Sequence, residues 1–476
     1  MTQDLEKDEE TLISQENLDD LNKNLEYAKI NPIKNLTKEN LEEQIFQRWP
    51  VAVIFGWQLW DEWKWKVTSQ FKNADYVAVW PWGANAWHTV VLKNWKSLAL
   101  HELPWWAIIE KAKVYLWQGR SINISWLYTE IKQLEENWYD MKNKVIIAWN
   151  AQIIFDNLQK KLDRIIEWLK AKKVWTTAKW IWPTAALKAL RTGPNFNILL
   201  NDNSDQLREF MEVNCNLFNW LNFEEILKEI ESEKTLLQKM MNEWYISIDT
   251  NNMLLNQAAY EWKKILVEAS QSAMLAADGW MYPYNTSNDT WLNWVMSALN
   301  LPEINTSIAV FKSIKSKVWW WFFPTKFENT QFAENYRKQS GEYWATTWRP
   351  RDVWYLDAVE ARKVLKTNKT DIIAFTKADL LYLLWEIAKI WEEYINTQNW
   401  KIYRHEIPTT KEEYENIQVK YWSQFDLNKI ITWLKSAEDL PEEYRKYIDY
   451  MLDQLEFKWN VLLGTWPCPE DFVVYK

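Results

Sequence analysis

Indoles stand in this chain where a fold needs bare α-carbons. The sequence has 38 Trp but only 7 Gly in 476 residues, where ordinary usage would supply roughly 33 Gly. Trp outnumbers both Phe (17) and Tyr (21). Its positions are those of turns. Trp80, Trp82, Trp182 and Trp466 flank prolines, Trp105-Trp106 and Trp319-Trp320-Trp321 run in tandem, and Trp63 and Trp65 alternate with charged residues. Such places call for φ > 0 or a close backbone approach, which Gly supplies. An indole there exposes a large apolar surface. One reading is a Trp-rich carbohydrate binder with stacking platforms, but it leaves the missing Gly unexplained. The other is recoding: UGA codons written as Trp and decoded as Gly in the host.

The rest of the composition excludes whole classes. No run of 18 apolar residues exists, so no membrane span is expected. The start, MTQDLEKDEE, is acidic and lacks the apolar region of a secretory signal. Cys215 and Cys468 are the only cysteines and His88, His101 and His405 the only histidines. A disulfide framework and a His-rich metal site are thereby excluded, and a reducing cytosol is the expected setting. The net charge is −9. Residues 1–48 carry −6 of it, so the body is near balance and general nucleic-acid binding is not expected.

Residues 1–48 read as a polar, acidic N-terminal extension with a short helix over Thr37–Gln47, and 49–476 as one large α/β domain. Val51–Phe55 is a buried-strand signal, followed by a polar loop, a helix over Val67–Phe71 and a strand over Tyr76–Val79. That order predicts a parallel sheet flanked by helices. Further strands are expected at Val145–Ala148, Ile265–Glu268 and Ile372–Thr376. Helices are expected over Asn157–Lys170, Asn222–Asn242, Leu380–Ile395 and Leu440–Leu452.

Two segments carry chemistry. With Gly at the Trp positions, Gly56–Lys66 reads GGQLGDEGKGK directly after the first strand. A Gly-rich loop there lets backbone N–H groups surround phosphate oxygens, and Lys64 and Lys66 add positive charge. It is not the usual P-loop, which ends GK[ST]. Trp80–Thr89 reads GPGGANAGHT after the second strand. His88 is there either an acid–base group or a structural hydrogen-bonding residue.

Together these two segments resemble the GxQxGDEGKGK and GGxNAGHT motifs of adenylosuccinate synthetases. The resemblance continues in order over about 50–476. Trp175–Pro183 resembles GTTxRGIGP, Glu268–Gln271 and Tyr282–Ser287 resemble EGAQ…YPYVTS, and Val318–Thr325 resembles VGxGPFPT. Trp344–Arg351 resembles GATTGRPR, Trp354–Asp357 GWxD, Thr376–Asp379 TKLD and Gly464–Pro467 STGP. In each motif that departs in this way, Trp stands where the family has Gly.

The resemblance implies a P-loop-NTPase-like adenylosuccinate synthetase fold with a large, mostly parallel sheet. It implies a ligase that joins IMP to L-aspartate with GTP and Mg²⁺. By alignment, Asp61, His88 and Gln271 are catalytic, with Asp61 as general base and His88 as acid. Asp61 and the carbonyl of Trp87 hold the metal. GTP falls to Trp60, Asp61, Glu62, Trp63, Lys64, Trp65, Lys66, Trp87, His88, Thr89, Arg351, Lys377, Ala378, Asp379, Gly464, Thr465 and Trp466. IMP falls to Asp61, Glu62, Trp63, Lys64, Asn85, Ala86, Trp87, His88, Thr177, Gln271, Thr286 and Arg349, with Arg191 reaching the neighbouring subunit of a homodimer. Aspartate falls to Ala345, Thr346, Thr347, Trp348, Arg349, Pro350 and Arg351. The chain departs from the family at Lys179, Ser270, Ser272, Ala276 and Ala378. A guanine-nucleotide-binding regulator on the same fold is the alternative.

Overall fold

The computed structural model describes Ile33 and residues 35–475, apart from 59–61, 80–87, 92–96, 170–180, 202–203, 280, 283–284, 318–323, 328–329, 344–349, 385–387, 423–424, 433 and 466–470. At 88–91, 97, 99, 167, 204, 330 and 422 the backbone alone is described. Most of the N-terminal extension therefore lies outside the described residues.

The centre of the molecule is a ten-stranded sheet. Its strands are β1 (Val51–Gly56), β2 (Tyr76–Val79), β3 (Lys113–Leu116), β4 (Val145–Ala148), β5 (Ile246–Asp249), β6 (Ile265–Ser272), β7 (Thr306–Lys312), β8 (Ile372–Thr376), β9 (Val461–Gly464) and β10 (Phe472–Tyr475). They lie in the order β10-β9-β8-β7-β1-β6-β2-β3-β4-β5. Every pairing is parallel except β9 with β10. This is the mostly parallel α/β architecture that the alternation of strand and helix signals predicts.

β1 occupies the middle because all six of its residues are buried. A parallel strand covered on both faces must read as a continuous apolar run. Burying Val51, Val53, Ile54 and Phe55 contributes about 1.5–3 kcal/mol each. β6 and β7 flank it, with Val53 opposite Val267 on one side and Ser307 on the other. Leu41, Ile45 and Phe46 join the same core, and Thr306 Oγ1 donates to the Ile45 carbonyl at 3.0 Å.

Several element expectations need correction. Leu380–Ile395 is not one helix. Ala378–Leu384 forms 3₁₀ turns, and Ile390–Asn396 is a strand paired antiparallel with Ile417–Trp422. The apolar spacing there serves two burial surfaces, with Tyr394 and Trp391 buried from the strand; tertiary pairing overrides local periodicity. The helix expected at Val67–Phe71 runs instead over Lys64–Thr68. It stops early because Ser69 and Gln70 turn back on it, with Ser69 Oγ donating to the Lys66 carbonyl at 2.7 Å. Asn157–Lys170 begins as a π-turn over Asp156–Lys160 before the α-helix Lys161–Leu169. Glu229 accepts the Asp156 and Asn157 N–H groups at 2.6 and 2.8 Å, which holds that first turn open. At Thr37–Gln47 the helix is only Leu41–Phe46, with Asn40 in the cap position.

Asn222–Asn242 is borne out: the helix spans Phe223–Asn242 and Asn222 caps it, accepting from Glu224 and Glu225 N–H. Leu440–Leu452 is borne out as Glu442–Gln454. Among the described residues no helix is long and apolar enough to cross a membrane.

Candidate active site

Of the sequence-selected residues that the structure describes, 62–66, Gln271, 377–379 and 464–465 gather at the carboxyl ends of β1, β6, β8 and β9, whereas Arg191 does not. Open parallel sheets bind ligands at that edge, because loops there leave the sheet without covering it. After β1 the chain bends sharply. Trp57 N–H donates to the Val310 carbonyl at 3.0 Å and to Glu62 Oε2 at 2.7 Å. Glu62 and Trp63 follow with φ of 54° and 65°, and Trp63 precedes the helix Lys64–Thr68. Lys64 and Lys66 are buried. Lys64 Nζ donates to the Gln271 carbonyl at 2.8 Å, which ties the loop to the end of β6.

Gln271 itself has φ of 44°, and Lys377, at the end of β8, has φ of 58°. Non-Gly residues in this region are strained, and such strain concentrates at functional sites. Four of them, Glu62, Trp63, Gln271 and Lys377, lie at one sheet edge. Thr376 Oγ1 donates to the Glu62 carbonyl at 2.9 Å, and Lys377 Nζ lies 4.9 Å from the centre of the Trp63 ring. β8 is thereby held against the β1 loop.

Asp379 follows in the 3₁₀ turn and is buried beside Ala378. Burial pushes its carboxyl above the ordinary carboxylate value, while Lys66 and Lys377 pull it back. Gly464 ends β9 beside Lys66 and the end of β8: a Cβ there would lie 3.4 Å from both Lys66 Nζ and Thr376 Cα, in ordinary contact. Thr465 is buried next to it and its N–H donates to the Asp471 carbonyl at 3.0 Å.

Thr286 is tied to the turn that follows β6 through its N–H, which donates to the Leu275 carbonyl at 2.8 Å. Arg351 is part-buried, and its Nη1 donates to Glu342 Oε2 at 2.9 Å. Pro350 bridges Tyr343. Arg191 is exposed with φ of 61°, at the C-terminal end of the helix Ile181–Ala189. The backbone of His88 and Thr89 forms a two-stranded ribbon with Ser97–Leu100, His88 opposite Leu100; their side chains lie outside the described residues. So do Trp60, Asp61, Asn85, Ala86, Trp87, Thr177, Ala345, Thr346, Thr347, Trp348, Arg349 and Trp466.

Three residues at this edge escaped the motif reading. Glu342, Lys312 and Ser316 form one buried polar cluster with Arg351 and Lys377. The available signals were a lone lysine closing the apolar strand β7 and a glutamate just ahead of an Arg-containing segment.

A parallel sheet whose carboxyl edge gathers two buried lysines and a buried carboxylate beside a tight loop belongs with the α/β proteins that bind ligands, nucleotides among them, at that edge. The adenylosuccinate synthetase family model matches residues 53–465. An adenylosuccinate synthetase of Paramecium tetraurelia is 31% identical over 402 residues, covering 84% of this chain and 91% of that protein. One from Babesia bovis is 29% identical, covering 86% and 94%. The structure is similar to that of fully ligated adenylosuccinate synthetase from Plasmodium falciparum, with a TM-score of 0.79 and 26% identity, covering 90% of this chain and 100% of that one. The chain belongs to the adenylosuccinate synthetase family, whose members are GTP-dependent ligases acting on IMP and L-aspartate.

Proposed function

We propose that this chain joins L-aspartate to IMP at the expense of GTP, with Asp61 as base, His88 as acid and the β1, β8 and β9 edges as the GTP site. The observation that carries it is the convergence of Lys64, Lys66, Lys377, Asp379 and Gly464 on one edge. The chemical difficulty is the purine 6-oxygen, a poor leaving group. Asp61 removes the N1 proton, O6 attacks the γ-phosphorus, and GDP leaves. The aspartate amine then attacks C6 and phosphate departs. His88 donates a hydrogen bond to the charge that develops on O6 and the phosphoryl group. Such transfer depends on positioning and electrostatic clamping, which buried Lys64 and Lys66 supply on the phosphate side.

Asp61 and the Trp87 carbonyl would hold Mg²⁺. One carboxylate and one carbonyl are hard oxygen donors, and they leave positions for phosphate oxygens, the arrangement Mg²⁺ favours. When bound, the ion neutralises phosphate charge. Thr177, Gln271, Thr286 and Arg349 hold IMP, and the segment Ala345–Arg351 takes the aspartate carboxylates, where Arg binds bidentately. Exposed Arg191 reaches the IMP phosphate of a second copy. A cytosolic homodimer is the working form, with residues 1–48 as an appended segment. The test is a coupled assay with purified protein: IMP, aspartate and GTP together give adenylosuccinate, and omitting any one abolishes it. GTP binding without product would favour the regulator.

The reading extends to the indoles, many of which stand for Gly. Trp138, Trp244 and Trp262 have φ of 68°, 64° and 57°, each just past a helix end. In each case two N–H groups fold back onto the last turn, as with Trp138 to Glu135 and Tyr139 to Leu134 at 2.9 and 3.1 Å. That is the Schellman pattern, which favours Gly. Gly341 fills the same place after Thr330–Ser340 with φ of 68°; Arg191, Asn300 and Glu456 fill it elsewhere. Trp138 is 94% exposed, so its ring packs on almost nothing. Among the described residues, Trp49, Trp57, Trp106, Trp291 and Trp391 bury an indole N–H with no acceptor, at about 1–3 kcal/mol each.

Two measurements check this. Peptides from the natural host carry Gly at 63, 138, 244, 262 and 400; indoles at all five overturn the recoding. In protein made as written, W138G and W244G each raise stability by about 1 kcal/mol by removing left-handed strain, read as a higher urea midpoint at constant m.

A further inference from the structure

Glu342 is 1% exposed and gathers side chains from four places in the chain. Its Oε1 accepts from Lys377 Nζ at 2.6 Å and Lys312 Nζ at 3.2 Å. Its Oε2 accepts from Arg351 Nη1 at 2.9 Å and Ser316 Oγ at 2.7 Å. The backbone is tied as well. Glu342 N–H donates to the Arg337 carbonyl, and the Glu342 carbonyl accepts Arg351 N–H, both at 3.1 Å. Tyr343 and Pro350 pair as an antiparallel bridge. Lys312 ends β7 and Lys377 directly follows β8.

One carboxylate thus faces three cations in a buried place. Burial opposes its ionisation, yet Lys312, Lys377 and Arg351 together hold its carboxyl well below the usual range. Burial pushes Lys312 down to about 8. A carboxylate set among two buried lysines and a part-buried arginine is costly to remove, because the cations then face one another with no counter-charge. The spatial consequence matters more. Lys377 adjoins Asp379, which the resemblance assigns to guanine because a carboxylate accepts from both N1–H and the 2-amino group, and Arg351 ends the segment assigned to aspartate. Both are set against the two oxygens of Glu342, and Lys377 is fixed further by donating to the Ser340 carbonyl at 2.9 Å.

Resting on the assignments under Proposed function, we infer that Glu342 is a positioning residue that couples the guanine-binding turn at Lys377–Asp379 to the aspartate-binding segment ending at Arg351. It acts through Arg351 and Lys377. Loss of its charge frees Arg351 and Lys377 to take other rotamers, so occupancy of one subsite no longer sets the other.

The experiment is steady-state kinetics on E342Q, varying GTP and aspartate against one another. Gln keeps the shape and removes the charge. The expected result is a rise of roughly tenfold in KM for both GTP and aspartate, with kcat changed less. The dependence of the aspartate KM on GTP concentration disappears, and E342D recovers part of it. A purely structural role lowers the melting temperature and the active fraction without moving that dependence. Because E342Q leaves three cations facing no carboxylate, E342Q/K312M is made alongside; it removes one ammonium with the charge and shows the same loss of coupling. Retained coupling in a folded variant of either kind, or a change in one KM alone, overturns the proposal. K377M and R351M separate the two levels. If K377M leaves the GTP KM and R351M the aspartate KM unmoved, the site assignment itself has failed; if they move while E342Q and E342Q/K312M do not, only the role of Glu342 has.

Discussion

Replacing Asp61 with Asn lowers turnover by about 1000-fold while GTP affinity changes only a few-fold. Asn is nearly isosteric with Asp but cannot accept a proton near neutral pH. With the N1 proton in place, O6 keeps little nucleophilic character toward the γ-phosphorus. The phosphate-binding N–H groups and Lys64 and Lys66 are untouched, so the nucleotide still binds. Two readouts check it. Adenylosuccinate formation under saturating substrates gives kcat, and equilibrium titration with a non-hydrolysable GTP analogue gives Kd. A large drop in kcat with a preserved Kd separates a catalytic role from a folding defect. Full activity in the Asn variant contradicts the assignment of the base, and a lost Kd means that its part in holding Mg²⁺ and the nucleotide outweighs its part as base.

How far the sequence alone reaches can be seen residue by residue. β1 was legible because a strand buried on both faces has to be apolar throughout, and Val51–Phe55 is. The loop carrying Lys64 and Lys66 was legible because a strand followed by closely spaced lysines is a pattern that the sequence itself displays, and the structure buries both at the end of β1. Leu380–Ile395 misled for a related reason. A short apolar run carries no period that separates a helix from a strand, and the partner that decides, Ile417–Trp422, lies outside the window. Glu342 was illegible on the same principle taken further. Its meaning depends on Lys312 and Lys377, 30 and 35 residues away in opposite directions along the chain, and no local pattern links them. The left-handed φ values at Trp138 and Trp244 follow from helix ends, so the composition hinted at the positions while only the backbone gave the reason. Strands β3, β5, β7, β9 and β10 also went unread; polar residues interrupt the runs at Lys113–Leu116 and Ile246–Asp249, unlike the equally short Val145–Ala148.

With Asp379 as the proposed reader of guanine, changing it to Asn is expected to switch the choice of base. A carboxylate accepts from both guanine N1–H and the 2-amino group, two charge-assisted hydrogen bonds. The side chain is 5% exposed, so a partner lost here is not replaced readily by water. In Asp379→Asn the carboxamide presents one acceptor and one donor group. The acceptor still takes N1–H, but the donor faces the 2-amino group, another donor, and both are left unsatisfied. A site built to hydrogen-bond one substrate group rejects the mismatched analogue by large factors. The KM for GTP therefore rises by about 100-fold, corresponding to loss of roughly 3 kcal/mol. A base with a carbonyl at position 2 restores the complement, because its oxygen accepts from the Asn amide while N1–H still donates. Xanthosine triphosphate thus becomes the better phosphoryl donor for D379N, with kcat near that of the parent enzyme on GTP, since the γ-phosphate lies far from the base. The measurement is kcat/KM for both nucleotides on both proteins. Reversal of preference with kcat maintained assigns Asp379 to the base. Equal losses for both nucleotides place its effect in the fold of the 3₁₀ turn, where burial already holds its carboxyl above the ordinary value, and remove it from the recognition site.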